Sequence, residues 1–418
     1  MTEHQHNWTD CLSVIEITDK GMRRATNQDS SIVVMQEDQE GWEARGHLFV
    51  VCDGMGAHAA GELASGDAVV FIPHHYLVFQ DLTPPAALRR AIEETNREIH
   101  QKGQVNPEFH NMGTTCSSLL LLPQGAVIGH VGDSRIYRRR DSAIEQLTFD
   151  HSLVWEMRAK GHQRDDIPSN VITRSLGPNP EVNVDCEGPF PIQKGDTFLI
   201  CSDGLNGEVS DAEIGSAMAV LPPLEASQFL VDLANLRGGP DNITIIIVQV
   251  TGERVCTDVQ SCQPFQTGKK KVIAKRKNPA FWISAIAFAL AGLFLVIAGA
   301  FPIGLIGIGI GSLCALLGLF RMQSKDATVE TVALDEPLGT GPHSKESCIP
   351  DKAILKKLLT TTSQIRDISK TSENRYDWSS FDEHFLEGTE YFHHQEYVKA
   401  YQALSKAISF IMNQFRSY

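Results

Sequence analysis

The stretch Val50-Val51-Cys52-Asp53-Gly54-Met55-Gly56-Ala57-His58 decides how the chain is read. The apolar run from His47 to Val51 has the length of a buried strand, and it ends in a carboxylate followed by glycine. Such a strand holds the Asp53 carboxylate rigidly at its tip. Gly54 and Gly56 let the turning backbone approach a hard cation closely enough to offer it a carbonyl oxygen. Taken alone, Asp-Gly after a strand is more often an ordinary turn, so the metal reading depends on recurrence.

The pattern recurs. Apolar runs Leu12 to Ile17 and Ile32 to Met35 flank a turn that carries Arg24 and Asp29. Cys116 to Leu122 and Ala126 to Val131 are strand-length runs, the second ending in Gly132-Asp133-Ser134-Arg135. Asp196 to Ile200 leads into Cys201-Ser202-Asp203-Gly204-Leu205, and Gly239-Pro240-Asp241-Asn242 precedes a strand from Ile243 to Val250. Helical spacing covers Glu62 to Phe79, Pro84 to Lys102, Asp211 to Val220 and Leu224 to Arg237. Asp29, Asp53, Asp133, Asp203 and Asp241 therefore each stand at a strand end, and carboxylates so placed repel one another unless cations neutralise them. An oxygen-only ligand set suits Mg²⁺ or Mn²⁺ in phosphoryl chemistry, and Arg24 can offer a bidentate contact to phosphate.

In order, Arg24 to Asp29 (R-x-x-N-Q-D), Asp53 to His58 (D-G-M-G-x-H), Gly113 to Thr115, Gly132 to Arg135, Ser202 to Leu205 and Asp241-Asn242 make a recognisable set. Over roughly residues 10 to 252 the chain resembles the bacterial form of the metal-dependent PPM, or PP2C-type, Ser/Thr protein phosphatases. The resemblance implies an α+β fold, an α-β-β-α sandwich of two antiparallel sheets with a binuclear Mn²⁺ or Mg²⁺ centre in the cleft. By the same carry-over Asp53 bridges two ions and the Gly54 carbonyl ligates one. Asp203 and Asp241 complete one shell, Asp29 orients waters of the other ion, and Asp133 holds a looser third. Arg24 binds the substrate phosphate, and a metal-bridging hydroxide attacks phosphorus. The implied substrates are phosphoserine and phosphothreonine proteins, with a cognate Ser/Thr kinase as partner. The alternative is a catalytically weak pseudophosphatase serving as a phosphoprotein-binding scaffold.

Three positions depart from the family pattern. Gln28 stands for the usual Glu, Met55 for a His found in some members, and Ala57 for a common glycine. His58 is more readily a structural hydrogen-bonding group than a proton donor. His151, in Asp150-His151-Ser152, sits at a recurrent family position that helix capping by its neighbours explains, and Arg174 lies in the segment matching the family's flap.

The rest of the 418 residues has a different character. The net charge of −14, with 42% hydrophobic and 21% charged residues, describes an ordinary folded chain and argues against nucleic-acid binding. The cysteines are scattered, without a CxxC pair, as expected of reduced core residues. After a phosphatase domain at 1–252, a linker at 253–278 ends in a basic run from Lys269 to Lys277. Residues 279–320 carry no charged side chain, which predicts a transmembrane hairpin of two short spans broken near Gly299 to Gly304. Basic residues at both outer ends place the catalytic domain and the C-terminus in the cytoplasm, with the basic run against anionic membrane lipid. Residues 321–349 read as a flexible linker. Residues 350–418 read as helical, with Gly388, Tyr391, Ala400, Leu404 and Ala407 at offsets similar to a tetratricopeptide repeat.

Overall fold

The computed structural model describes residues 8–56, 60–161, 171–258, 338–369 and 376–416, together with a few helical residues between 290 and 302. The chain divides into two compact units, Gln266–Leu334 and the remainder.

The larger unit is built on two antiparallel six-stranded sheets. In one, the order is β1 (Leu12–Asp19), β11 (Ile243–Val250), β10 (Thr197–Cys201), β7 (Arg135–Arg140), β8 (Ala143–Gln146) and β12 (Ser344–Ser347). In the other it is β2 (Asp29–Val34), β3 (His47–Met55), β5 (Cys116–Leu122), β6 (Gly125–Val131) and β9 (Asp185–Phe190), with the short β4 (Gly113–Thr114) paired to β3. Strand parity sorts the side chains. Phe49, Val51, Leu119, Leu121 and Ile128 meet Ile136, Phe198, Ile200, Ile246 and Val248 in a core between the sheets. Val50, Cys52, Leu120 and Val127 point the other way, onto α2 (Ala60–Val78) and α3 (Pro84–Val105). Both faces are covered, so these strands are apolar throughout.

The first sheet is covered by α6 (Asp211–Val220) and α7 (Pro223–Leu236). Three shorter helices are α1 (Gln39–Arg45), α4 (Leu153–Ala159) and α5 (Asp203–Asn206). The PP2C-like sandwich expected from the sequence is thus present, with a further layer on one side. That layer is α8 (Lys352–Ser369), α9 (Ser379–His393) and α10 (Tyr397–Arg416). Leu355, Leu358, Phe381, Tyr401, Leu404, Ile408 and Ile411 share one buried cluster with Ile214, Ala217, Phe229, Leu230 and Leu233.

Two expectations are corrected. The segment 321–349 was expected to be a flexible linker, but its described part, 338–349, is bound to the sandwich. Leu338 pairs with Gly188, the Gly341 amide donates to Glu187 at 2.8 Å, His343 Nε2 stands 3.1 Å from the same carboxylate, and β12 extends the sheet at β8. The membrane hairpin with a cytoplasmic catalytic domain is overturned as well. Among the described residues no helix is long and apolar enough to cross a membrane. Of the described residues there, Leu290, Ala291, Leu293, Phe294, Val296 and Ile297 are helical, and the backbone turns at Ala298 and Gly299, whose φ is +88°. The rest of 279–320 and the basic run 269–277 lie outside the described residues. The tetratricopeptide offsets have a local cause: a Cβ on Gly388 would stand 2.7 Å from Leu404, so the glycine lets α9 and α10 close together.

Candidate active site

Asp53 continues the parity of Phe49 and Val51, which turns its carboxylate into the space between the sheets at the end of β3. The β2–β3 register sets Asp29 directly opposite it. The Asp53 peptide is bracketed on both sides. Its N–H donates to Thr115 Oγ1 at 2.9 Å, and its carbonyl accepts from the Thr115 amide at 2.8 Å and from Thr114 Oγ1 at 2.9 Å. Gly54 donates its N–H to the Gln28 carbonyl at 3.1 Å, and a Cβ there would lie 2.2 Å from the Gly61 carbonyl oxygen. Only glycine permits that approach.

Asp203 opens α5 immediately after β10. The preceding Ser202 donates its hydroxyl to Asp29 Oδ2 at 2.7 Å and accepts the Thr244 amide at 2.9 Å, joining the ends of both sheets. Asn242 ties the third approach. Its side chain donates to the carbonyls of Lys20 and Thr26 at 2.8 and 3.0 Å and accepts the Gln28 amide at 2.9 Å. Asp241 beside it is engaged by Arg24 Nη2 at 2.6 Å, and Arg24 Nε donates to Pro240 O at 3.3 Å.

The carboxylates sense one another. Burial, then repulsion from Asp29, Asp203, Asp241 and Asp133, pushes Asp53 far above the usual carboxylate range. Burial drives Asp29 up to about 7, against hydrogen bonds from Ser202 and Thr244 and with repulsion from Asp203 and Asp241. Asp133 is also raised to about 7, by burial and then by Asp203 and Asp150. Asp203 is raised by burial and by Asp241. Asp29 Oδ1, Asp133 Oδ1 and Asp203 Oδ1 are buried without a hydrogen-bond partner. Oxygens left in this condition are what a hard cation satisfies. Among the described residues no three acidic, His or Cys side chains close into a finished ion cage. Asp241 is turned to Arg24, and one oxygen of Asp29 to Ser202.

The family profile for protein phosphatase 2C matches residues 23–234 of this chain. The chain belongs to that family. It is similar to the serine/threonine phosphatase stp of Listeria innocua, 34% identical over 242 residues, which is 56% of this chain and 93% of that protein. It is likewise similar to the protein phosphatase PhpP of Streptococcus pneumoniae, 34% identical over 58% of this chain and 99% of that one. A solved Streptococcus agalactiae serine/threonine phosphatase aligns with a TM-score of 0.51 at 32% identity, covering 57% of this chain and 99% of that chain. The protein is therefore a PP2C-type protein serine/threonine phosphatase, dependent on Mn²⁺ or Mg²⁺.

The phosphatase fold gathers Asp29, Asp53, Gly54, Asp133, Asp203, Asp241 and Arg24 about one end of the sandwich. Ala57 and His58 lie outside the described residues. His151 does more than stand beside a helix cap. While Ser152 caps α4, His151 Nδ1 accepts the Gly132 amide at 2.9 Å and its Nε2 pairs with Asp185 Oδ2 at 2.9 Å. The ring thus holds the turn that presents Asp133. Arg174 grips the other Asp185 oxygen at 2.6 Å, so its partner is protein rather than solvent. Asp185 escaped the sequence reading because an acid at a strand start carries no local signal. Burial alone would raise its pKa, but His151 and Arg174 outweigh that and hold it near 2.

Proposed function

We propose that this phosphatase releases phosphate from phosphoserine and phosphothreonine proteins, opposing a Ser/Thr kinase, at a two-ion Mn²⁺ or Mg²⁺ centre. Asp53, the Gly54 carbonyl, Asp203, Asp241 and Asp29 would hold the two ions, and Asp133 a weaker third. The observation that carries the reading is the set of partnerless buried oxygens of Asp29, Asp133 and Asp203 around the fully bracketed Asp53. Bound there, two divalent cations supply Lewis acidity toward phosphoryl oxygen and toward water.

The remaining work belongs to the chain. Arg24 is 46% exposed and stands at the rim, where a planar guanidinium can clamp two phosphate oxygens. Its present pairing with Asp241 makes it the counter-charge of a carboxylate that a cation would otherwise neutralise. Thr114 and Thr115 keep the Asp53 backbone from shifting, and Ser202 holds Asp29 at the correct strand end. Gln28 keeps an acceptor where the family usually has a carboxylate, which removes one negative charge from the ion site.

The test is phosphate release by the full chain from a phosphothreonine peptide across a Mn²⁺ titration, with Asp203→Asn and Arg24→Ala. Asp203→Asn is expected to weaken Mn²⁺ binding measured by calorimetry and to abolish release. Arg24→Ala is expected to raise KM with Mn²⁺ binding retained. Undiminished Mn²⁺-dependent release by Asp203→Asn would overturn the ligand assignment.

A further inference from the structure

The family match ends before the C-terminal helices, yet α10 reaches the loops that frame the active site. It packs along α7, with the Tyr401 ring 5.6 Å from Phe229, the Tyr401 hydroxyl donating to Glu213 O at 3.2 Å, and Gln402 Nε2 donating to Val220 O at 2.9 Å. At its far end Arg416 spans two carboxylates. Nη1 lies 2.8 Å from Asp232 Oδ1 on α7, and Nη2 lies 3.6 Å from Asp19 Oδ2 at the end of β1. Asp232 is completely buried; besides Arg416 it is met by the Gln228 side-chain amide, which donates to Oδ1 at 3.1 Å, and by the Ser409 hydroxyl of α10. Among the described residues the one ion-pair partner of Asp232 is the Arg416 guanidinium, which comes from α10.

Asp19 begins the loop that carries Arg24. Its Oδ1 accepts the Gly21 amide at 2.8 Å and Asn235 Nδ2 at 3.0 Å, so one carboxylate fixes both the start of that loop and the end of α7. From α7 the chain runs through Gly238 and Gly239 to Asp241. The two loops are interlocked: the Met22 and Arg23 amides donate to Gly239 O at 2.9 and 3.1 Å, and Asn242 donates to Lys20 O and Thr26 O. Gly21, at φ +77°, would put a Cβ 2.1 Å from the Asp241 carbonyl oxygen, so neither loop can move far without the other.

We propose that Arg416 is a positioning residue for the phosphatase reaction, holding Asp19 and Asp232 together so that Arg24 and Asp241 are presented in register. The inference rests on the assignment of Arg24 to phosphate and Asp241 to metal. A guanidinium that forms ion pairs with carboxylates on two elements limits their relative motion, and the two loops hang from those elements. Lys357 offers a control. It links the same helical layer to the sandwich through Glu213 at 2.9 Å but touches neither Asp19 nor Asp232.

The experiment uses the full chain as Arg416→Met, Arg416→Lys and Lys357→Met. It measures KM and kcat on a phosphothreonine peptide, the Mn²⁺ concentration at half activity, Tm, and amide hydrogen exchange at Met22 and Arg23. Arg416→Met is expected to raise KM and the Mn²⁺ requirement by roughly 3- to 10-fold, with faster exchange at both amides. Arg416→Lys, keeping one charge, should restore part of each. Lys357→Met should lower Tm and leave KM unchanged. Unchanged exchange in Arg416→Met overturns the linkage, as does an equal KM rise in Lys357→Met. Faster exchange with KM and Mn²⁺ requirement both unchanged upholds the linkage and overturns the roles given to Arg24 and Asp241. Should Arg416→Met fail to fold, Arg416→Lys decides by the same readings.

Discussion

Asp29→Asn should make the metal-free protein more stable while damaging its response to metal. Asp29 is 8% exposed, one of its oxygens is partnerless, and burial together with Asp203 and Asp241 moves its pKa from the ordinary 3.8 to about 7. A folded value above the unfolded one means that the stabilising protonation is fully present below pH 3.8 and is lost as pH rises through 7. The shift of about 3 units corresponds to about 4 kcal/mol of strain in the ionised, metal-free site at 1.36 kcal/mol per unit. Shared repulsion and an imperfect amide replacement reduce the expected gain to about 2 kcal/mol, or a Tm roughly 3 °C higher. The amide keeps an oxygen for the Ser202 hydroxyl and points an N–H₂ where the other oxygen had no partner. Calorimetry of the full chain in chelator at pH 7.5 should show this gain, and at pH 4 the two curves should nearly coincide. With Mn²⁺ at about 100 times its Kd the wild type should gain about 2.7 kcal/mol, and the variant much less, so the order of the two Tm values reverses. A variant less stable than wild type in chelator at pH 7.5 would refute the idea that these carboxylates strain one another.

Two further outcomes follow from other parts of the molecule. Gly54→Ala puts a methyl group 2.2 Å from the Gly61 carbonyl oxygen and 2.5 Å from that of Gln28. It should cut phosphate release by about 100-fold through displacement of roughly 1 Å, with far-ultraviolet circular dichroism unchanged; activity within twofold of wild type would show that the turn yields freely. Glu213 meets Arg237 at 2.6 Å, Lys357 at 2.9 Å and Ser210 Oγ at 2.7 Å; burial would raise its pKa, but these partners bring it from 4.5 down to about 2. A depressed folded value contributes stability above pH 4.5 that is lost as pH falls toward 2, so Glu213→Gln should cost about 3 kcal/mol at pH 7 and progressively less below pH 4.5. Urea midpoints that differ equally at pH 7 and pH 3 would assign the loss to shape rather than charge.

What was legible in the sequence, and what was not, divides by distance along the chain. The apolar run before Asp53 is readable because strand length and the Asp-Gly turn are local. Which residues face which layer is not, because Phe49 and Val50 are both fully buried on opposite faces and look alike in sequence. The opposition of Asp29 and Asp53 needs the β2–β3 register, and the role of His151 needs Gly132 and Asp185 brought to its two ring nitrogens. Residues 338–349, rich in Gly, Ser and Pro, read as a tether because their partner Glu187 lies about 150 residues earlier. The apolar composition of 279–320 met the hydropathy pattern of a span, but among the described residues no helix is long and apolar enough to be one.

The layer formed by α8, α9 and α10 answers a requirement of the helix it covers, one that only burial in the fold reveals. In α7 the consecutive residues Val231, Asp232, Leu233, Ala234 and Asn235 are all buried, more than a full turn with no face left to solvent. A surface helix keeps a polar side, and one that lacks it must be packed on both sides. The sheet under α7 accounts for one side only, through Ile243, Ile245 and Ile247, while Tyr401, Leu404 and Ile408 account for the other. The match to relatives of about 250 residues stops short of that cover. Phe229 and Leu230 in this chain are therefore fitted to a partner within the same polypeptide, and a fragment ending near residue 258 would expose an apolar face together with an Asp232 carboxylate that has lost its Arg416 counter-charge. Catalytic measurements on such a fragment would report a sandwich deprived of Arg416 and of the helical layer that carries it.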